Sequence, residues 1–141
     1  MSNSILVAHD GSSHAQSALE YALETFPDAR IVLFYAIDPF EVTPEEDQLP
    51  PLTEEWLDEQ RAVAADLFED ARDDLEEGSA TIETETGAGS PAQTILAAVE
   101  DSEIDQIVMG SRGRGGVTEA RMGSVAELVV KRASVPVTVV R

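Results

Sequence analysis

The chain has no cysteine, a single lysine (Lys131) and only 5% aromatic residues in a length of 141. Without cysteine there is no disulfide framework and no thiolate metal site. With lysine nearly absent, arginine supplies most of the positive charge, and 9 Lys+Arg stand against 28 Asp+Glu for a formal net charge of −19. A phosphate backbone requires a broad basic surface, so nucleic acid is not an expected partner. No apolar run reaches the about 18 residues of a transmembrane helix, so no membrane span is expected. The opening MSNSILVAHDGS has neither a basic n-region nor a long apolar stretch. No secretory signal is expected, and a cytoplasmic location is.

What remains is 43% hydrophobic, enough to pack a core, and the length predicts one domain over residues 1–141. High acid content with scarce lysine reads as adaptation to a salt-rich, halophilic cytoplasm, where a Debye length of about 3 Å at molar salt screens self-repulsion. The other reading is an acidic face for a basic partner. The acids are spread over most of the chain, which favours salt adaptation.

Strand and helix patterns alternate, which predicts an α/β fold with a parallel sheet. Ile5 to His9 is an apolar run ending in Asp10-Gly11-Ser12. A helix follows, with Ala15, Ala18, Leu19, Ala22, Leu23 and Phe26 at helical spacing, a capping box of Ser13 and Gln16, and Pro27 to stop it. Ile31 to Ile37 is a second, wholly apolar strand. The sixteen residues from Asp38 to Thr53 contain four prolines and form a long loop, either mobile or a lid. The second helix is expected over Glu54 to Glu77, with Trp56, Leu57, Val63, Ala64, Leu67, Phe68, Ala71 and Leu75 as its buried stripe. Its outer face carries like-charge pairs four residues apart: Glu55/Glu59, Asp66/Asp70, Asp70/Asp74 and Asp73/Glu77.

Thr81 to Thr86 alternates, with only Ile82 facing inward, as an edge strand does. Ser90-Pro91-Ala92-Gln93 opens a third helix with a cap, an N1 proline and a capping-box glutamine. Asp105 to Met109 is an apolar fourth strand. Ser124 to Arg132 is the last helix, with a Ser124/Glu127 capping box, and Val135 to Val140 is the fifth strand. Right-handed crossovers then give a five-stranded parallel sheet of order 3-2-1-4-5 with helices on both faces. Its switch point lies between strands 1 and 4, where Asp10 and Gly110 end their strands and ligands are expected. Strand 5 is an apolar edge without charge, which invites pairing with a second copy, so a homodimer through Val135 to Val140 is expected.

The richest motif is Gly110 to Ser124, GSRGRGGVTEARMGS, a glycine-rich turn from strand to helix. Such a turn lets backbone N–H groups converge on an anion at a helix N-terminus. Residues 110–132 hold five basic and two acidic side chains, net +3, whereas the rest of the chain sums to −22. A positive island in so acidic a chain points to a local anionic ligand, a nucleotide phosphate above all.

With these residues the chain resembles the universal stress protein family, over nearly its whole length. The nucleotide-binding members carry G-x2-G-x9-G-[ST]. Here Gly110 and Gly113 are followed by nine residues and then Gly123-Ser124, and Asp10 and Tyr35-Ala36-Ile37-Asp38 also correspond. The resemblance implies a Rossmann-like, adenine nucleotide alpha hydrolase-like fold that binds ATP or AMP, with Mg2+ or Mn2+ bridging the phosphates. It implies that Ala8, Asp10 and Ala36 line the adenosine half. Met109, Gly110, Arg112, Gly113, Gly123, Ser124 and Val125 would hold the ribose and phosphates, with Arg114 adding charge. Ala36 is smaller than the branched residue often found beside the adenine. The family also implies a homodimer through the last strand.

Other classes lack their residues. Gly110 and Gly115 have phosphate-loop spacing, but Gly116-Val117 follow in place of Lys-Ser. The dinucleotide fingerprint is missing after strand 1, the receiver phosphoacceptor after strand 3 is replaced by Thr86-Gly87, and no G-x-S-x-G elbow occurs. No catalytic residue and no protein-only metal site is expected. Three functions stay open: an ATP-dependent regulatory stress-response dimer, a slow ATP hydrolase with Glu119 as the loop's one acid, and a ligand-free dimeric interaction module.

Overall fold

Buried strands need apolar side chains on both faces, and the three most apolar runs of the chain occupy the middle of the sheet. The computed structural model describes residues 3–39, 53–75, 81–112 and 123–141. The elements are β1 (Ser4–Ala8), α1 (Ser13–Thr25), β2 (Arg30–Ile37), α2 (Glu54–Asp73), β3 (Thr81–Ala88), α3 (Pro91–Asp101), β4 (Gln106–Gly110), α4 (Ser124–Arg132) and β5 (Val137–Val140). The five strands form one parallel, Rossmann-like sheet of order β3-β2-β1-β4-β5, as expected.

Alternation along the strands splits the core in two. Ile5, Val7, Ile31, Leu33, Tyr35 and Ile37 join Val108 and pack under α1 and α2 through Ala18, Leu19, Ala22, Ala64, Phe68 and Ala71. Leu6, Val32, Phe34, Ile107 and Met109 face the other way, under α3 and α4 through Ile95, Val99, Ala126 and Val129. The edges are poorer: Ile82 of β3 is half-buried, and so is every residue of β5.

Several local expectations are corrected. Ser12, not Ser13, caps α1, and its side chain accepts from the Ala15 N–H at 3.2 Å. Both serines precede the same helical run, and only Ser12 has the extended backbone a cap requires (φ −79, ψ 160). Gln16 is released from any capping box and donates instead to the Ala71 carbonyl at 3.1 Å. Thr53 caps α2 by accepting from the Trp56 N–H at 3.1 Å, but α2 ends at Asp73 rather than Glu77. Val63 is 49% exposed, because the helix meets the sheet over the narrower stripe of Ala64, Phe68 and Ala71. Ser90 makes no side-chain cap bond on α3. At α4 the cap position belongs to Gly123, and Glu127 pairs with Lys131 at 3.1 Å in place of a Ser124/Glu127 box. β5 begins at Val137, two residues later than expected. The loop expected over Asp38 to Thr53 lies, for residues 40–52, outside the described residues.

The N-terminal end of the sheet is tied by polar contacts. The Ser4 N–H donates to Asp105 at 2.8 Å, and the Asp105 N–H returns a bond to the Ser4 carbonyl. Arg30 pairs with Glu83 and donates to the Ser102 carbonyl at 2.9 Å. The hydrogen bond to Glu83 holds the Arg30 guanidinium above its ordinary pKa. All of this lies opposite the end where a ligand would bind.

Candidate functional site

Toward the C-terminal ends of the strands, the side chains on the α3/α4 face shrink. In β1, Leu6 gives way to Ala8, and in β2, Val32 and Phe34 give way to Ala36. The sheet surface drops away from the helices there, and a cavity of about 470 Å³ opens. That volume is within the range of about 300–1,000 Å³ seen for small-molecule sites. It sits where β1 and β4 part company in chain order, at the switch point of the sheet.

Nine of the eleven residues singled out in the sequence line this one cavity. Ala8 and Asp10 come from the end of β1, and Ala36 from β2. Met109, Gly110 and Arg112 come from the end of β4, and Gly123, Ser124 and Val125 from the start of α4. Gly113 and Arg114 lie outside the described residues. The cavity also takes Phe34, Asp38, Ile95 and the Ser90-Pro91-Ala92 start of α3, which the sequence reading missed. A signal for some of them was present: Phe34 and Ala36 share one face of β2 by parity, and Asp38 stands at the same parity one residue past its end.

The two ends of the cavity differ in chemistry. One end is apolar, walled by Phe34, Ala36, Ile95 and Met109. The other is the N-terminus of α4, where Glu127 makes the first intrahelical bond to the Gly123 carbonyl. The amides of Ser124, Val125 and Ala126 precede that bond, so they have no intrahelical acceptor and carry the positive end of the helix dipole. The Gly123 N–H itself donates to the Ser111 carbonyl at 2.6 Å, and the Ser111 N–H donates to the Val140 carbonyl at 2.7 Å. Gly123 therefore fixes the helix start rather than offering its own amide to an anion.

The β1 turn is rigid. Asp10 accepts from the Ser12 N–H at 3.0 Å, closing the turn over Gly11, whose φ of +88° favours glycine. His9, 5% exposed, accepts the Gly11 N–H on Nδ1 at 3.0 Å, so its proton sits on Nε2 and donates to Gln16 at 2.9 Å. Gln16 continues to the Ala71 carbonyl, so the chain of bonds runs from the cavity rim into α2. His9 is structural in this arrangement.

Gly110 also meets a packing demand that its motif does not mention. A Cβ there would lie 2.8 Å from the carbonyl carbon of His14. The glycine lets β4 approach α1, whatever the ligand does. Arg112, two residues on, donates from Nη2 to His14 Nε2 at 2.8 Å.

Among the described residues no group of three or more His, Asp or Glu is placed to hold a metal ion, and no helix is long and apolar enough to cross a membrane.

The universal stress protein family profile matches residues 1–141. A universal stress protein of Methanocaldococcus jannaschii is 32% identical over 141 residues, spanning 97% of this chain and 81% of that protein. Among solved structures, the universal stress protein UspA from Lactobacillus plantarum has a TM-score of 0.79 at 30% identity, covering 99% of this chain and 97% of its own. A family protein from Arabidopsis thaliana, solved with AMP bound, shares the fold with a TM-score of 0.67 at 22% identity, covering 98% and 90%. Matched from end to end by the family profile and by a relative at 32% identity, this chain belongs to the universal stress protein family.

Proposed function

We propose that the cavity binds an adenine nucleotide, ATP in preference to AMP, and that the protein acts as a nucleotide-dependent regulatory stress protein. One observation carries the reading. A single cavity at the switch point joins an apolar end, fit for a base, to a helix N-terminus with Arg112 beside it, fit for phosphates. The Arabidopsis relative of the same fold holds AMP, an adenine nucleotide. Ala36 leaves the base end roomier than a branched residue would. Asp10 would serve the ribose or adenine through its carboxylate.

A bridging Mg2+ or Mn2+ fits this donor set only as a partner of the phosphates. Such ions take one or two protein oxygens and complete their shell with phosphate and water. Asp38 and the Ser124 hydroxyl are among the cavity's candidate oxygen donors for such an ion. The ion's contribution would be to neutralise phosphate charge.

Titration calorimetry of ATP and AMP with Mg2+ at 2 M KCl tests the reading, with Gly123→Val beside the parent protein. Gly123 has φ −66 and ψ 157, a conformation valine adopts readily, so the variant adds bulk at the cavity without backbone strain. The expected result is micromolar ATP binding that Gly123→Val abolishes. No heat from either nucleotide, in folded protein freed of co-purified ligand, would leave the interaction module as the better reading. Hydrolysis at or above about 1 s⁻¹, the low end of enzyme turnover, would favour the hydrolase instead.

The assembly we infer is a cytoplasmic homodimer through the last strand, Val135 to Val140. It is supported by the half-buried apolar edge of β5 and by Leu128 and Val130 of α4, exposed at 38% and 45%. Sedimentation at 2 M KCl giving a 15.1 kDa monomer at all concentrations would refute it.

A further inference from the structure

We propose that His14 is the positioning residue for Arg112, setting its guanidinium toward the anionic part of the ligand; the proposal rests on the nucleotide reading of the cavity. Arginine has donors and no acceptor, so in the 2.8 Å contact His14 Nε2 must be the acceptor and the ring proton must sit on Nδ1. The bond therefore requires a neutral imidazole presented in one orientation. That orientation is fixed from below. His14 is the second residue of α1, held by the Ser12 cap, and its backbone lies against Gly110 so closely that no Cβ fits between them. Arg112 leaves the same strand end two residues later.

Gly110, His14 and Arg112 thus act as one unit. The glycine brings helix and strand together, the helix presents the imidazole, and the imidazole holds one arm of the guanidinium fork. The fork is planar and rigid, so fixing one N–H narrows the directions open to the other donors. Arg112 lines the cavity, and a side chain held there before the ligand arrives avoids an ordering cost on binding. A residue 98 positions away in sequence thereby bears on how strongly a charged ligand is preferred to a neutral one.

The experiment compares ATP and adenosine binding by calorimetry in the full chain, for the parent protein, His14→Ala, His14→Gln, Arg112→Ala and the double variant His14→Ala/Arg112→Ala. Circular dichroism checks that each is folded. His14→Ala is expected to bind ATP about three- to tenfold more weakly, the scale of ordering one long side chain, with adenosine binding unchanged. His14→Gln, whose amide oxygen accepts the same bond, should recover most of the loss. The double variant should be no weaker than Arg112→Ala alone, since two residues acting as a unit are not additive. Parent-like ATP affinity in His14→Ala, equal losses for ATP and adenosine, or additive losses in the double variant would each overturn the proposal. A parent protein silent to both ligands overturns the cavity reading itself, and the role of His14 with it.

Discussion

Replacing Gly110 with alanine tests whether helix–strand contact, rather than ligand approach, demands this glycine. The added Cβ would lie 2.8 Å from both the carbonyl carbon and the Cβ of His14, and 2.9 Å from its carbonyl oxygen. Carbon atoms in contact normally sit about 3.5–4.0 Å apart. The overlap is therefore more than half an ångström, about 0.7 Å at the least, and two of the three atoms belong to a helix backbone that no rotamer change can move. Either α1 slides away from β4 or the end of β4 bends. Overpacking of this kind costs about 1–3 kcal/mol, and a backbone obstacle places Gly110→Ala in the upper half of that range. For a chain of this size the melting temperature would fall by about 4–12 °C. Urea denaturation of ligand-free protein at fixed salt measures it, with Gly87→Ala as the control. At Gly87 the nearest atom to an added Cβ is the ring tip of Phe34, at 3.0 Å. A ring can yield where a helix backbone cannot, so Gly87→Ala should cost less. A loss below about 0.5 kcal/mol for Gly110→Ala, the scatter of neutral surface changes, or a larger loss at Gly87, would refute the argument.

Helix α2 should make stability depend on salt. Its like-charge pairs Glu55/Glu59 and Asp66/Asp70 each oppose folding by about 0.2–0.5 kcal/mol at low ionic strength, so the protein should melt lower in dilute buffer than in 2 M KCl; equal melting temperatures would count against salt adaptation. The helix caps should separate by contact: Ser12→Ala and Thr53→Ala each remove a bonded cap and should cost about 1 kcal/mol. Ser90→Ala removes no cap bond and should be close to neutral in the same urea titration.

Strand order was legible because burial on both faces demands apolar residues at every position, and Ile31 to Ile37 or Ile107 to Met109 can sit nowhere but inside. The switch-point crevice followed from that order, and Asp10 and Gly110 meet there in the structure. Helix ends were less legible. Ser12 and Ser13 are chemically equal candidates, and only backbone conformation separates them. Val63 fits a helical period yet is exposed, because periodicity gives the direction of a face and not its width. The contact of His14 with Arg112 left no trace in the sequence: nothing local links positions 98 apart. The motif glycine at 110 lines the cavity, and its immediate neighbour is a helix of the same chain.

The strand order also dictates when the cavity can come into being. β1 is the first element of the chain, but its partner on one side is β4, and Ser4 finds Asp105 across a sequence separation of 101. Contacts so distant in sequence form late, since loop closure opposes them until most of the chain is in place. The half-sheet of β1, α1 and β2 can assemble early as a local unit. The cavity cannot, for one wall is β1 and β2 while the opposite wall is α4, whose first residue is Ser124. A nascent or truncated chain ending before α4 would hold Asp10 and Ala36 with only the start of α3 across from them and no helix N-terminus of α4 to receive an anion. Ligand recognition therefore reports on completed folding, and a bound ligand would stabilise only chains that have closed the sheet from its first strand to its last.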